Sequence, residues 1–421
     1  MSYIIRILGL IFLTASGLSA QLVDTLSLSK CYTLARNNYP LIKQLELIKQ
    51  IRDYNLDNLS KGYLPSIIIN GQATYQSEVT ELPMSIPNID VPSLSKDQYK
   101  LYADIYQNIY DGGINSIQRK ITAANSEVEQ EKTEVELFKL KDRINQLFFG
   151  VLLIDAQLKQ TEFILSDIHN ALNKSNAAVK NGTALPSSSS MLEAELLNID
   201  QKKTELSANR MAFINILTLM IGEQISELTT FIVPSVPIKS DINQRPELKW
   251  FESQKNIFSL QNELIKSKNS IKVGLFAQLG YGRPAFNFLS NSFSPYYIGG
   301  VKVNWNLSNM YTSHNERSLL LVNSRSVDIQ KETFLLNNEL TVKQQDSEIN
   351  KYKELIITDS KIIELRSKIL HVSQSQLANG TISTLDYLTN INALDQAKQN
   401  LILHELQLLQ SQINYQNSLG N

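Results

Sequence analysis

The chain has 421 residues, with 40 basic and 41 acidic side chains and a net charge of −1, which excludes bulk attraction to nucleic acid. It holds 16 glycines and 11 prolines, few for this length, and its abundant Leu, Ile, Asn, Gln, Ser, Lys and Glu suit long helices better than a compact enzyme core. One cysteine, Cys31, excludes an internal disulfide framework. The histidines His169, His314, His371 and His404 are scattered without metal-ligand spacing, so neither a metal nor a cofactor is expected.

Residues 1–20 carry Arg6, an apolar stretch from Ile7 to Leu13 and the small-residue end Leu18-Ser19-Ala20. That pattern predicts a secretory signal peptide cleaved after Ala20. Cys31 follows Leu28-Ser29-Lys30, with lysine where a lipoprotein site needs a small residue, so the thiol should pack inside the first helix. From Ser27 a helix is predicted to about Ser60, broken near Asn37-Asn38-Tyr39-Pro40. The second half opens alike, at Gln244-Arg245-Pro246-Glu247-Leu248, with a helix to about Lys268. Residues 21–240 and 241–421 therefore read as two structural repeats.

The apolar period then changes from helical to alternating, which signals strands at about 65–78, 98–110, 271–282 and 296–308. Ile67, Ile69, Gly71, Ala73 and Tyr75 alternate with polar residues, as do Tyr99, Leu101, Ala103 and Ile105 with Lys100 and Asp104. Val273, Leu275, Ala277, Leu279 and Tyr281 form the third series, and Tyr297, Val301, Val303 and Trp305 the fourth. Segments of about ten residues with aromatics near their ends fit membrane-spanning strands, although a half-buried soluble sheet has the same period. The intervening loops, Val79 to Lys96 and Gly282 to Pro295, hold Pro83, Pro87, Pro92 and Pro284 and read as exposed connections. Asp111-Gly112-Gly113 closes the first strand pair. Its counterpart, Ser308-Asn309-Met310-Tyr311, lacks glycine and should turn differently.

A seven-residue apolar ruler follows in each half. Leu137, Ile144, Val151, Leu158, Leu165, Leu172 and Val179 lead to Asn181-Gly182-Thr183. Leu335, Val342, Ile349, Ile356, Ile363, Leu370 and Leu377 lead to Asn379-Gly380-Thr381. Each ruler ends three residues before its glycine. Such a period makes a coiled-coil seam, and Gly past it can close a helix in the left-handed conformation. From Ile114 to Lys180 the helix would run roughly 100 Å at 1.5 Å per residue, longer than any bilayer is thick. Tips are predicted at 180–190 and 378–384, the first two residues longer, with Ser187 to Ser190 a flexible turn. Descending helices are predicted from Met191 to Ile221 and from about Ser383 to Leu419, ending at Gly222 and Gly420. A connector, 223–240, holds Pro234 and Pro237.

The ordered set of LSLSKCYTLARNNYPLI, Arg245-Pro246-Glu247-Leu248, NGTALPSSSSMLEAELL and NGTISTLDYLTNINALDQAK resembles the TolC-like outer-membrane efflux protein family over essentially the whole mature chain. The resemblance implies an α+β membrane protein, with a long α-helical coiled-coil barrel in the periplasm joined to a transmembrane β-barrel. It implies a homotrimer in which each protomer gives four strands, twelve in the trimer. Four strands cannot close a barrel alone, which supports some oligomer independently. The implied partners are outer-membrane lipid, a periplasmic adaptor (membrane fusion) protein and an inner-membrane pump of RND, ABC or MFS type, and no nucleic acid.

In this family acidic residues on the last helix narrow the periplasmic tip, and Asp386 matches the first such position. Thr389 stands where some relatives carry a second acid. A ring of three Asp386 carboxylates would attract cations and raise its own pKa by like-charge repulsion. An Asp in the first turn of a helix is also favoured by the helix dipole alone. Leu377 and Ile382 stand where polar links can hold the tip shut, and Ser190 where an acid is common in the first repeat, so hydrophobic packing is expected to replace salt bridges. The resemblance makes Asn181, Gly182, Thr183, Asn379, Gly380 and Thr381 adaptor contacts. No catalytic constellation is present, since Ser187 to Ser190 have no His or acid at readable spacing. An alternative is a non-conducting secreted coiled-coil scaffold whose strands form a soluble sheet.

Overall fold

A computed structural model describes residues 25–80, 93–238, 240, 242–287 and 289–421. The expected signal peptide and the three prolines of the first inter-strand loop lie outside the described residues. The elements, in chain order, are β1 (Thr25–Leu26), α1 (Leu28–Asn38), α2 (Ile42–Lys61), β2 (Ser66–Tyr75), β3 (Asp97–Tyr110), α3 (Ile114–Phe138) and α4 (Leu140–Lys180). They continue as α5 (Pro186–Ile221), β4 (Thr230–Phe231), α6 (Pro246–Lys268), β5 (Lys272–Arg283), β6 (Ser294–Asn304), α7 (Asn309–Ala378) and α8 (Thr384–Ser418). The helix expected over 114–180 is parted only at Lys139, whose backbone stays helical (φ −60°, ψ −19°). The chain forms two compact units that cut across the duplication. One comprises the residues up to Tyr39, Leu140–Lys239 and Gln345–Tyr415; the other comprises Pro40–Lys139, Ser240–Gln344 and Gln416–Asn421.

The second unit carries an antiparallel sheet in the order β2-β3-β5-β6. Asp111 ends β3 by accepting from the N–H groups of Gly113 and Asn115, both at 2.8 Å, while Gly112 and Gly113 take positive φ (76° and 85°). The counterpart turn before α7 uses Asn306, which accepts from Ser308 N–H at 3.1 Å, and no positive-φ glycine. The two turns differ as the sequence implied. α3 packs against α2 and α6, and Lys255 on α6 reaches Asp328 on α7 at 2.7 Å. Arg245 explains its motif. It precedes Pro246 at the start of α6, pairs with buried Glu247, lies over the Phe138 and Phe334 rings and donates to the Asn417 carbonyl. Gln244 N–H also bonds Leu419 C=O at 2.6 Å. The chain's last residues are thereby fixed to the opening of the second repeat.

The first unit is helical. Ser27 caps α1 by accepting from Lys30 N–H at 3.3 Å, and Tyr39 leaves the helix in an extended conformation ahead of Pro40. Ile144, Phe148 and Val151 of α4 share one core with Cys31 of α1, Ile214 and Leu217 of α5, and Leu409 and Ile413 of α8. Cys31 is fully buried, as expected, and burial pushes its thiol up to about 12. The connector adds a feature with no precursor in the sequence patterns: β4 pairs in parallel with β1, Thr25 opposite Thr230 and Leu26 opposite Phe231. Arg210 secures the same stretch, bonding Asp155 at 2.5 Å and the Glu227 carbonyl at 2.8 Å.

Candidate functional site: the helix tips and the two faces of the sheet

The Asn-Gly-Thr echo is one backbone device used twice. In the first copy Gly182 N–H bonds Val179 C=O at 3.0 Å and Thr183 N–H bonds Ala178 C=O at 2.9 Å. In the second, Gly380 bonds Leu377 at 3.0 Å and Thr381 bonds Gln376 at 2.9 Å. This is the Schellman pattern, with glycine in the left-handed region (φ 73° and 68°). Each threonine adds its hydroxyl to the same carbonyl, at 3.0 Å in both copies. Threonine at that position thus satisfies an end carbonyl twice over. A Cβ on either glycine would meet nothing within 4 Å, so each bend offers its bare backbone to whatever approaches.

The first tip is shorter than expected. α5 begins at Pro186 and α8 at Thr384, each four residues beyond its glycine. Ser187 to Ser190 are therefore helical and not a flexible turn. Proline at the first helical position starts the helix there, and Ser189 is buried with its hydroxyl 3.1 Å from that of Ser175 on α4. Counted from the two helix starts, the residue in register with Asp386 is Ser188.

Asp386 is exposed and engaged. Ser383 N–H and the Ser383 hydroxyl donate to its carboxylate at 3.2 and 2.7 Å, and Asp386 N–H donates back to the Ser383 hydroxyl at 3.2 Å. This is a capping box. The bonds from Ser383 hold the Asp386 carboxyl below its usual range; within one chain the shift runs opposite to that expected for a ring of like charges. Thr389, one turn on, is exposed with its hydroxyl given to the Leu385 carbonyl at 2.8 Å. Leu385, Asp386, Thr389, Asn392 and Gln396 form one exposed face of α8. Behind it, Tyr387, Leu388 and Ile391 share a core with Leu370 of α7, Ile168 of α4 and Leu192 of α5, with Leu377 and Ile382 packed against it. The two tips are thus brought together on one apolar base, and apolar packing occupies the positions where polar links were considered.

The strand register sorts the sheet into two faces. Cross-strand rows Ile67–Ile105–Ala277–Gly299 and Ile69–Ala103–Leu279–Tyr297 make the middle of one face apolar. The opposite face carries Asn70, Asp104 and Gln278. Asp104 accepts from Asn70 Nδ2 and Gln278 Nε2, each at 2.8 Å, which joins three strands through one carboxylate. Aromatic rings cover glycines on this face, Tyr106 over Gly274 and Tyr296 over Gly280. Asp97 and Arg283 pair with each other at the loop end of the apolar face. Among the described residues no helix is long and apolar enough to cross a membrane, and no group of three or more His, Cys, Asp or Glu could hold a metal ion.

Helix pairs bent at matched tips and a four-stranded antiparallel sheet recur in solved structures. CusC aligns with a TM-score of 0.71 at 13% identity over 93% of this chain and 91% of that one. The fold is that of TolC-like outer-membrane channels. VceC, an outer membrane protein of Vibrio cholerae, aligns with a TM-score of 0.67 at 12% identity over 94% of this chain and 96% of that one. The MtrE outer membrane channel of Neisseria gonorrhoeae, in its open state, aligns with a TM-score of 0.66 at 13% identity over 94% and 89%. No family model and no curated protein matches the chain.

Proposed function

We propose that the chain is one protomer of a homotrimeric outer-membrane exit duct, not an enzyme. It would pass solutes from an inner-membrane pump of RND, ABC or MFS type, through a periplasmic adaptor, to the exterior, in a tripartite efflux or type I secretion assembly. The sheet carries this proposal. Its apolar face leaves Ile67 65%, Ile69 75% and Val301 63% exposed, a band that lipid accepts and water does not. Exposed aromatics flank the band, Tyr75 and Tyr281 toward the loops and Tyr110 and Trp305 toward the helices. β2 and β6 are both edge strands, and open edges are not tolerated in hydrocarbon. Four strands from each of three copies give twelve, an even number within the range of such barrels. A secreted scaffold with a soluble sheet would leave the band uncovered.

On this proposal the helices stand in the periplasm and enclose a coiled-coil tunnel, with the exposed face of α8 toward its axis. Asp386 then forms the acidic ring of the aperture, with Thr389 one turn inside it. Asn181, Gly182, Thr183, Asn379, Gly380 and Thr381 present the open bends that the adaptor would meet. Sizing the detergent-solubilised protein by light scattering tests the assembly. Three chains per particle are expected; a single chain with its sheet intact contradicts it.

A further inference from the structure

The strand segment has a charge pattern that the acidic tip does not foretell. On the polar face of the sheet, the described strand residues contribute Lys100, Lys272, Lys302 and a single acid, Asp104. Three lysines against one aspartate leave a net charge of +2 per chain. Asp104 is occupied by the amides of Asn70 and Gln278. It is also remote from the lysines, because Lys100 and Lys302 lie four residues, and Lys272 six, along a strand from the cross-strand row of Asp104. The nearer separation is about 13 Å at 3.3 Å per residue, beyond the Debye length of about 8 Å at physiological salt. Among the described residues none of the three ammonium groups forms an ion pair. Lys272 and Lys302 sit diagonally on adjacent strands, Lys272 opposite Asn304 and Lys302 opposite Gly274, at the end of the sheet that joins α6 and α7.

We propose that Lys272 and Lys302 make the strand segment of the conduit anion-favouring, in series with an acidic tip. This rests on the duct proposal and deepens it. In a closed trimer the pair would repeat three times and form a belt of six ammonium groups; the acid beside it, Asp111 after the end of β3, is taken up by the Gly113 and Asn115 N–H groups. Small inorganic and organic anions would be concentrated there.

Cys31, the one native thiol, is fully buried, so an introduced cysteine can report alone. Asn304→Cys places a thiol between the two lysines. Its labelling rates with anionic (sulfonatoethyl) and cationic (trimethylammonioethyl) methanethiosulfonates are measured in reconstituted protein and normalised to a free thiol. The expected anionic-to-cationic ratio exceeds one. It falls by about threefold or more when Lys272→Gln and Lys302→Gln are added, and it shrinks as salt is raised. An accessible thiol whose ratio is indifferent to the two lysines overturns the proposal and leaves the duct intact. If Leu279→Cys, on the apolar face, labels and Asn304→Cys does not, the polar face is not the wet one, and both proposals fall.

Discussion

Ser383 and Asp386 cap α8 reciprocally, the serine hydroxyl taking the Asp386 N–H while the carboxylate takes the serine N–H and hydroxyl. One side chain therefore serves two ends. It ends the bend of the second tip, and it leaves a charged group fixed on the exposed face of α8. The depressed pKa means that this carboxylate supports the cap above its ordinary value of 3.8, and that the support is lost as pH falls through the lowered value. Block of reconstituted channels by a trivalent cation from the tip side should therefore persist at pH 5 and fade only below about 4. A midpoint near 6 would mean that like-charge repulsion among copies overrides the cap.

The cap and the charge can be separated. Ser383→Ala should destabilise the α8 start by about 1 kcal/mol, read as a lower melting temperature of the helical part, with the charge retained. Asp386→Asn should remove cation block while largely preserving helix content by circular dichroism. Equal loss of block in both variants would show that position, not charge, controls the aperture.

At the bends, Gly182→Ala and Gly380→Ala meet no steric obstacle, so the cost is the left-handed backbone alone, about 1–2 kcal/mol each. Both variants should fold and assemble. Replacement of either glycine by a large residue should spare assembly and impair function in cells, if the bare bend is what the adaptor approaches. Unimpaired efflux in both bulky variants would confine these glycines to helix termination.

Across the α7–α8 hairpin, His404 Nδ1 stands 2.6 Å from Asp359, whose side chain is 8% exposed. His404→Ala would leave that buried acid without its partner, at a cost of about 3–5 kcal/mol. Denaturant unfolding of the helical part should show it. A change under about 1 kcal/mol would mean that water replaces the imidazole.

The sheet faces make a paired prediction. Leu279→Lys puts a charge on the apolar face and should cost about 2–4 kcal/mol of insertion into vesicles if it lies at mid-bilayer. The neighbouring Gln278→Lys, on the polar face, should cost far less, although it removes one amide from Asp104. Equal costs would argue for a sheet wet on both sides.

Much of this architecture is written in short-range patterns. The left-handed glycines and the alternation of Ile67, Ile69 and Leu279 with polar neighbours are local signals, and the structure places each as read. Ser187 to Ser190 were legible in principle: serine is a modest helix former, and Pro186 at the first helical position was the stronger sign. The pairing of Leu26 with Phe231 could not be read, because two-residue strands have no period and their partners are remote in sequence. The capping of Asp386 was readable from Ser-x-x-Asp. The bracketing of Asp104 by Asn70 and Gln278 needed the strand register, which composition does not set.

Planar-bilayer recording of the purified protein, beside Asp386→Asn, tests the duct most directly. Stepwise, cation-preferring conductance in the native protein, with that preference reduced in the variant, is the predicted result. A folded protein that stays soluble, does not insert and never conducts would contradict it.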